Sequence, residues 1–166
     1  MNPSPQAEFG NPVHPRPSTP NRLIGFARQA IDQFDCRLAP LFDLCLRFYV
    51  GWQFLKSGWL KLSDWESTLV LFENEYHVPV VSPQVAAIMG TGGELLLPLL
   101  LCLGLAARFG AAGLFVVNAM AVIAYPELSE LGLADHVLWG CLLLVTIFHG
   151  PGRWSLDHWL QPLWRR

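Results

Sequence analysis

The sequence predicts an all-α integral membrane protein, a four-helix bundle with flanking interfacial helices. Three observations lead there. Hydrophobic residues make up 52% of the 166 positions and charged residues only 14%, too few charges for an ordinary soluble surface. Apolar stretches recur at about the length a helix needs to cross ~30 Å of hydrocarbon. Basic residues gather on alternate connections between those stretches, the pattern of a multi-pass protein with a fixed orientation. The length suits one domain. A net charge of −2, with no recognition motif, predicts no nucleic-acid partner.

Residues 1–20 hold six prolines among Asn, Ser and Gln and predict a disordered tail. No basic-then-apolar leader precedes the first span, so that span is expected to direct insertion itself. Over 21–39, Leu23, Ala27, Ala30, Ile31, Phe34 and Leu38 recur at helical spacing opposite Arg28, Asp32, Gln33 and Asp35. The pattern predicts an amphipathic helix, lying in the membrane interface or packed on the protein itself.

The first span, 40–62, is polar for its kind. At 100° per residue Arg47, Gly51, Phe54, Gly58 and Lys61 share one face, and its small residues let a neighbouring helix approach closely. Asp43 stands four residues before Arg47, a favourable ion-pair spacing. Lys56 points the other way, where it can snorkel to the outer interface or serve a functional role. Ser63 and Glu66 have the spacing of a capping box. They open a short helix whose Trp65, Leu69, Phe72 and Tyr76 are expected to rest on the membrane face, ending near His77 and Pro79.

The second span, 83–106, carries Gly90-Thr91-Gly92-Gly93-Glu94 and then Pro98. Glu94 is its only formal charge. A carboxylate at that depth costs at least ~2.5 kcal/mol and faces a bundle interior, a cation or water. Pro98 lacks the N–H that would bond the Glu94 carbonyl, which suggests a discontinuous helix lining a site. The third span, 109–125, follows the short connection Ala107-Arg108-Phe109. It places Ala111, Leu114, Asn118 and Tyr125 on one face, and an interhelical hydrogen bond is the commoner role for a mid-span Asn. The fourth span, 134–148, has His136 at its mouth and stops at Gly150-Pro151-Gly152. In 151–166, Ser155 is placed to cap a terminal segment whose Trp154, Trp159 and Trp164 suit the headgroup layer.

Orientation follows from charge. Arg16, Arg22, Arg28 and Arg37 precede span one, Arg108 lies between spans two and three, and Arg153, Arg165 and Arg166 follow span four. The alternate connections hold Asp64, Glu66, Glu73, Glu75, Glu127, Glu130 and Asp135, with Lys61 at their edge. Both termini are therefore expected in the cytoplasm. The four cysteines, Cys36, Cys45, Cys102 and Cys141, show no C-x-x-C and fit buried thiols rather than disulfides or a zinc site.

Helical depth brings Arg47, about 10 Å from one end of span one, towards Glu94, about 18 Å from the same side in span two. An Arg47–Glu94 pair with Asn118 as a third member is the expected polar site. Such a pair either joins helices or serves proton-coupled chemistry. On the outer side His77, His136, Glu127, Glu130 and Asp135 have donor chemistry but no tight ligand spacing, so no metal site is predicted. No nucleophile–base arrangement or phosphate loop appears, and catalytic residues stay unassigned.

The run Arg47-Phe48-Tyr49-Val50-Gly51-Trp52-Gln53-Phe54-Leu55-Lys56-Ser57-Gly58 with Lys61-Leu62, the segment Val78-Pro79 before Pro83-Gln84-Val85-Ala86-Ala87, and Glu94-Leu95-Leu96-Leu97-Pro98 with Gly104-Leu105-Ala106-Ala107-Arg108 resemble the DoxX family of small bacterial membrane proteins. The likeness covers roughly residues 40–160, including Gly150-Pro151-Gly152 and Ser155-Leu156-Asp157. It implies a four-helix protein of the bacterial inner membrane with a tie to redox chemistry. Relatives are described as subunits of a thiosulfate:quinone oxidoreductase or as membrane partners of oxidative-stress enzymes. The expected function is thus a redox-associated subunit, acting with a partner protein or as a homo-oligomer, whose intramembrane site holds a quinone head group or relays protons. Arg47, Glu94 and Asn118 would supply polarity, and Trp52 or Trp139 would stack on a ring. The alternative is a non-enzymatic scaffold or a conduit for a small solute or metal.

Overall fold

The structure, a computed structural model, describes residues 19–76, 78–125 and 128–164. Every regular element in them is a helix: α1 Thr19–Ser63, α2 Trp65–Asn74, α3 Pro83–Leu103, α4 Ala107–Ala124, α5 Glu130–His149 and α6 Leu156–Trp164. Three of these, α3, α4 and α5, are long and apolar enough to cross a membrane. The second half of α1 is the polar fourth member. It packs on α3, α3 on α4, α4 on α5, and α5 returns to α1, so the four long helices close a ring. The chain is an all-α membrane protein. The tail expected over 1–20 lies almost wholly outside the described residues.

Several expected boundaries change. The amphipathic stretch over 21–39 and the first span are one 45-residue helix that runs through Pro40. Ile24, Phe26, Ile31 and Leu38 are exposed along its first half. Likewise α3 continues through Pro98, so the expected discontinuity is absent. Pro98 is fully buried and packs beside Gly51 of α1, so the helix runs on past the point where a hydrogen bond is lost. The fourth span starts earlier than its apolar run, because Ser129 accepts from the Gly132 N–H and caps the helix at Glu130. Arg108 sits in the first turn of α4 rather than in a loop.

The capping box at Ser63 gives way to a different cap. Ser63 stays in α1 and donates to the Trp59 and Leu60 carbonyls. Asp64 caps α2 by accepting from the Ser67 N–H at 3.1 Å, and the Ser67 hydroxyl first, with that N–H second, holds its carboxyl below the usual range. Trp65, Leu69, Phe72 and Tyr76 do recur on one face, but that face packs on Ala86 and Ala87 of α3. Sequence periodicity marks an apolar stripe and does not say whether lipid or protein covers it.

The core follows the predicted faces. Val50 and Phe54 of α1 meet Leu101 of α3, Ala111 and Leu114 of α4 and Leu143 of α5. Two glycines set the α1–α3 approach. A Cβ at Gly58 would lie 2.9 Å from the Glu94 Cβ, and one at Gly51 would reach the Cys102 Sγ. The expectation of buried thiols fails for Cys45 and Cys141, which are free and exposed on the outside of the bundle. On a membrane protein that surface is lipid, so an apolar residue need not be inward.

Candidate functional site

The α1–α3 register decides which charges meet. The two helices run antiparallel, and Arg47 stands opposite Leu101 and Cys102. Glu94 is seven to eight residues back along α3, roughly 11 Å at 1.5 Å per residue. The expected Arg47–Glu94 pair does not form. Glu94 instead meets Lys61, whose Nζ donates to Oε2 at 2.6 Å and Oε1 at 2.8 Å. The third Lys61 proton goes to Ser57 Oγ at 2.8 Å. Both side chains are nearly buried, at 14% and 9% exposure. Close approach is what makes this possible: Gly58, one turn before Lys61, brings the α1 backbone against Glu94.

Lys61 was on the predicted inward face, yet the sequence placed it at a loop edge. α1 keeps its helical geometry to Ser63. Thr68 of α2 then donates to the Lys61 carbonyl at 2.9 Å, satisfying a helix-end acceptor. The signal available in the sequence was the register itself. Antiparallel helices with Gly51 near Pro98 put Gly58 and Lys61 beside Glu94.

A cleft of about 310 Å³ opens beside this pair, between α2, α3 and α4. Lys61 and Glu94 form its polar wall, and Phe72, Tyr76, Met89, Val117 and Met120 line the rest. Tyr76 stacks on Phe72 at 4.8 Å and on Tyr125 at 5.4 Å. Burial, with the Glu94 charge second, pushes the Tyr76 phenol above its ordinary value. An apolar cleft with one convergent charged group is the usual form of a small-molecule site.

Arg47 does something else. It is fully buried and serves the end of α3, donating to the carbonyls of Leu101 at 3.4 Å and Cys102 at 3.3 Å. It also donates to the Trp154 carbonyl and, through Nε, to the Asp43 carbonyl at 3.3 Å. The i,i+4 partner is therefore the backbone of Asp43 rather than its carboxylate. Gly104, in the left-handed region at φ 68, ends α3 against this guanidinium.

Asn118 also stands apart from Glu94. Its Nδ2 donates to the His136 carbonyl at 2.8 Å, and its Oδ1 pairs with His136 Nδ1 at 2.7 Å. This joins α4 to α5, the commoner role expected of a mid-span Asn. Trp139 packs on Phe54 and His136, with its Nε1 unpartnered among the described residues. Trp52 is 63% exposed and cannot stack on a ring within the bundle. Of the five expected site residues only Glu94 lines the cleft. Within the outer-side donor set, His77 and Glu127 lie outside the described residues, and no metal-holding cluster occurs among those described.

A DoxX family model matches residues 42–126, just over half of the chain. That stretch contains Arg47, Lys61, α2, Glu94 and Asn118. The chain is also similar to a protein of Haemophilus influenzae described as an "Uncharacterized protein". The two are 26% identical over 136 residues, covering 74% of this chain and 88% of the relative. No solved structure gives a significant match.

Proposed function

Because the chain belongs to the DoxX family, we propose that it is a redox-associated membrane subunit that holds a quinone-type head group beside Lys61 and Glu94. One observation carries this reading: the nearly buried Lys61–Glu94 pair forms the polar wall of an otherwise apolar, aromatic-lined cleft. A volume of about 310 Å³ is at the small end of ligand sites and suits one ring with part of a tail. The Phe72–Tyr76 stack lines the cleft, and a bound carbonyl would take over the N–H of the Lys61 ammonium that otherwise goes to Ser57. Glu94 keeps that ammonium in place. Quinone reduction takes up two electrons and two protons. In this reading a partner enzyme supplies the electrons, while Lys61 and Glu94 hold charge and proton positions beside the ring.

The interior favours a blind site over a conduit. Beyond the pair, Arg47, Val50, Leu101, Leu114 and Leu143 are fully buried and fill the ring of helices. The basic residues support an inner-membrane orientation with both termini cytoplasmic, which would put the cleft towards the outer leaflet.

The test is extraction of quinone from the full chain purified in mild detergent, followed by titration of a short-tailed quinone with tryptophan fluorescence as readout. Ala121→Phe, which fills the cleft wall, should abolish binding without unfolding the protein. Binding that survives the filled cleft would overturn this site. Absence of quinone binding to the intact chain would leave a scaffold as the better reading.

A further inference from the structure

A second cavity, of about 840 Å³, opens at the other end of the bundle, between the α3–α4 turn, the end of α5 and the start of α6. Its wall gathers Arg108, His149 and His158 with a single acid, Asp157. Asp157 is already engaged: its two carboxylate oxygens accept from the Ala106 and Ala107 N–H groups at 2.7 and 2.9 Å. It therefore closes the α4 N-terminus to other anions and leaves the facing side chains as donors. Arg108 is held in place by donating to the Phe148 carbonyl at 3.5 Å. Its guanidinium lies over Gly150, where a Cβ would come within 3.3 Å of Nη2. One guanidinium nitrogen makes that bond, and other N–H groups of the same fork stay available for a planar or tetrahedral oxyanion.

The surroundings are apolar. Leu105 and Leu160 line the cavity, and Phe109 beside them is 68% exposed. Trp154 and Trp159, exposed on the neighbouring segment, suit the depth of lipid headgroups. A recess that gathers a guanidinium and two imidazoles at a span end, next to apolar helix surface, fits an anion that carries hydrocarbon.

We propose that this cavity binds the phosphate headgroup of an anionic phospholipid, with Arg108, His149 and His158 as its donors. The shared chemistry is a phosphate oxyanion, and the apolar wall selects the lipid over free phosphate. The proposal is independent of the Lys61–Glu94 cleft.

Thermal unfolding of the full chain in mild detergent tests it, with three additions compared: phosphatidylglycerol, phosphatidylcholine and inorganic phosphate. Phosphatidylglycerol should stabilise, and phosphatidylcholine should not. Arg108→Gln should weaken the apparent affinity about fivefold, the effect of one basic residue at an anionic membrane surface. If Arg108→Gln does not fold, the exposed pair His149→Gln with His158→Gln replaces it and should weaken affinity about twofold or more. Equal responses to the two lipids, or an unchanged response in the foldable variant, would overturn the proposal. Stabilisation by inorganic phosphate as strong as by phosphatidylglycerol would overturn the lipid assignment.

Discussion

Lys61→Met puts the α1–α3 contact to its most direct trial. The substitution removes three hydrogen bonds, two to Glu94 and one to Ser57, and keeps most of the apolar stem. Glu94 is then left as a nearly buried carboxylate without its cation. Breaking a fully buried pair costs about 3–5 kcal/mol. The pair borders a cleft and keeps 9–14% exposure, so the lower end, ~3 kcal/mol, is expected. At about 2–4 °C per kcal/mol for a chain of this size, the melting midpoint should fall by roughly 6–12 °C. The assay is a double-mutant cycle in detergent with Lys61→Met, Glu94→Gln and both together. Glu94→Gln removes the charge while keeping the shape, so the double variant should recover about 1.5–3 kcal/mol relative to the sum of the single losses. A parallel cycle with Arg47→Met and Glu94→Gln should be additive, because those residues stand roughly 11 Å apart along the helices. Additivity in the first cycle, or coupling in the second, would refute the register.

Arg47→Met should cost about 3 kcal/mol, since it takes the guanidinium away from the Cys102 and Trp154 carbonyls. Limited proteolysis should then cut near Trp154 faster than in the native chain. Lys56→Met should leave the melting midpoint unchanged to within about 0.5 kcal/mol, because Lys56 is exposed. A comparable loss at both positions would place Lys56 inside the bundle. Tyr76 should ionise above 10.0, since burial favours its neutral form. Its contribution is complete below pH ~10 and is lost as the pH rises through the raised value; a tyrosinate difference spectrum against Tyr76→Phe reads this, and ionisation at or below 10.0 would contradict the packing. Cysteines placed at Glu73 and Glu130, in a background lacking the native cysteines, should react with an impermeant reagent from outside. Labelling from outside at Arg108 instead would reverse the proposed orientation.

Helical faces were readable from the sequence, and helix partners were not. Arg47, Gly51, Phe54, Gly58 and Lys61 do turn inward together, because a 100° step is a property of one chain. Which of them meets Glu94 depends on how α3 slides along α1. That slide is fixed by steric fit, with Gly51 under Pro98 and Gly58 under Glu94. Estimating depth from the ends of apolar runs missed the register because the runs and the helices end at different residues. Charge is also a poor guide to a span's end. Lys61 looks like a boundary residue until its partner is known. The Asn118–His136 contact was half legible: the sequence indicated that Asn118 would bond across helices, but not that His136 would bond it through both its ring and its carbonyl.

Asp157 and Arg47 give the α3–α4 turn an order of assembly. The turn's N–H groups at Ala106 and Ala107 find their acceptor 51 and 50 residues later. The Arg47 guanidinium, fixed early in the chain, finds a carbonyl 107 residues later at Trp154. During synthesis the hairpin of α3 and α4 must therefore enter the membrane with one end unfinished, and α5 must cross before residues 152–157 can return to close it. The last stitch is tied where α3, α4 and α5 end or begin rather than midway along the bundle. A released chain truncated before Asp157 should thus keep its four long helices while its α3–α4 turn stays open to a protease, and the full chain should close it.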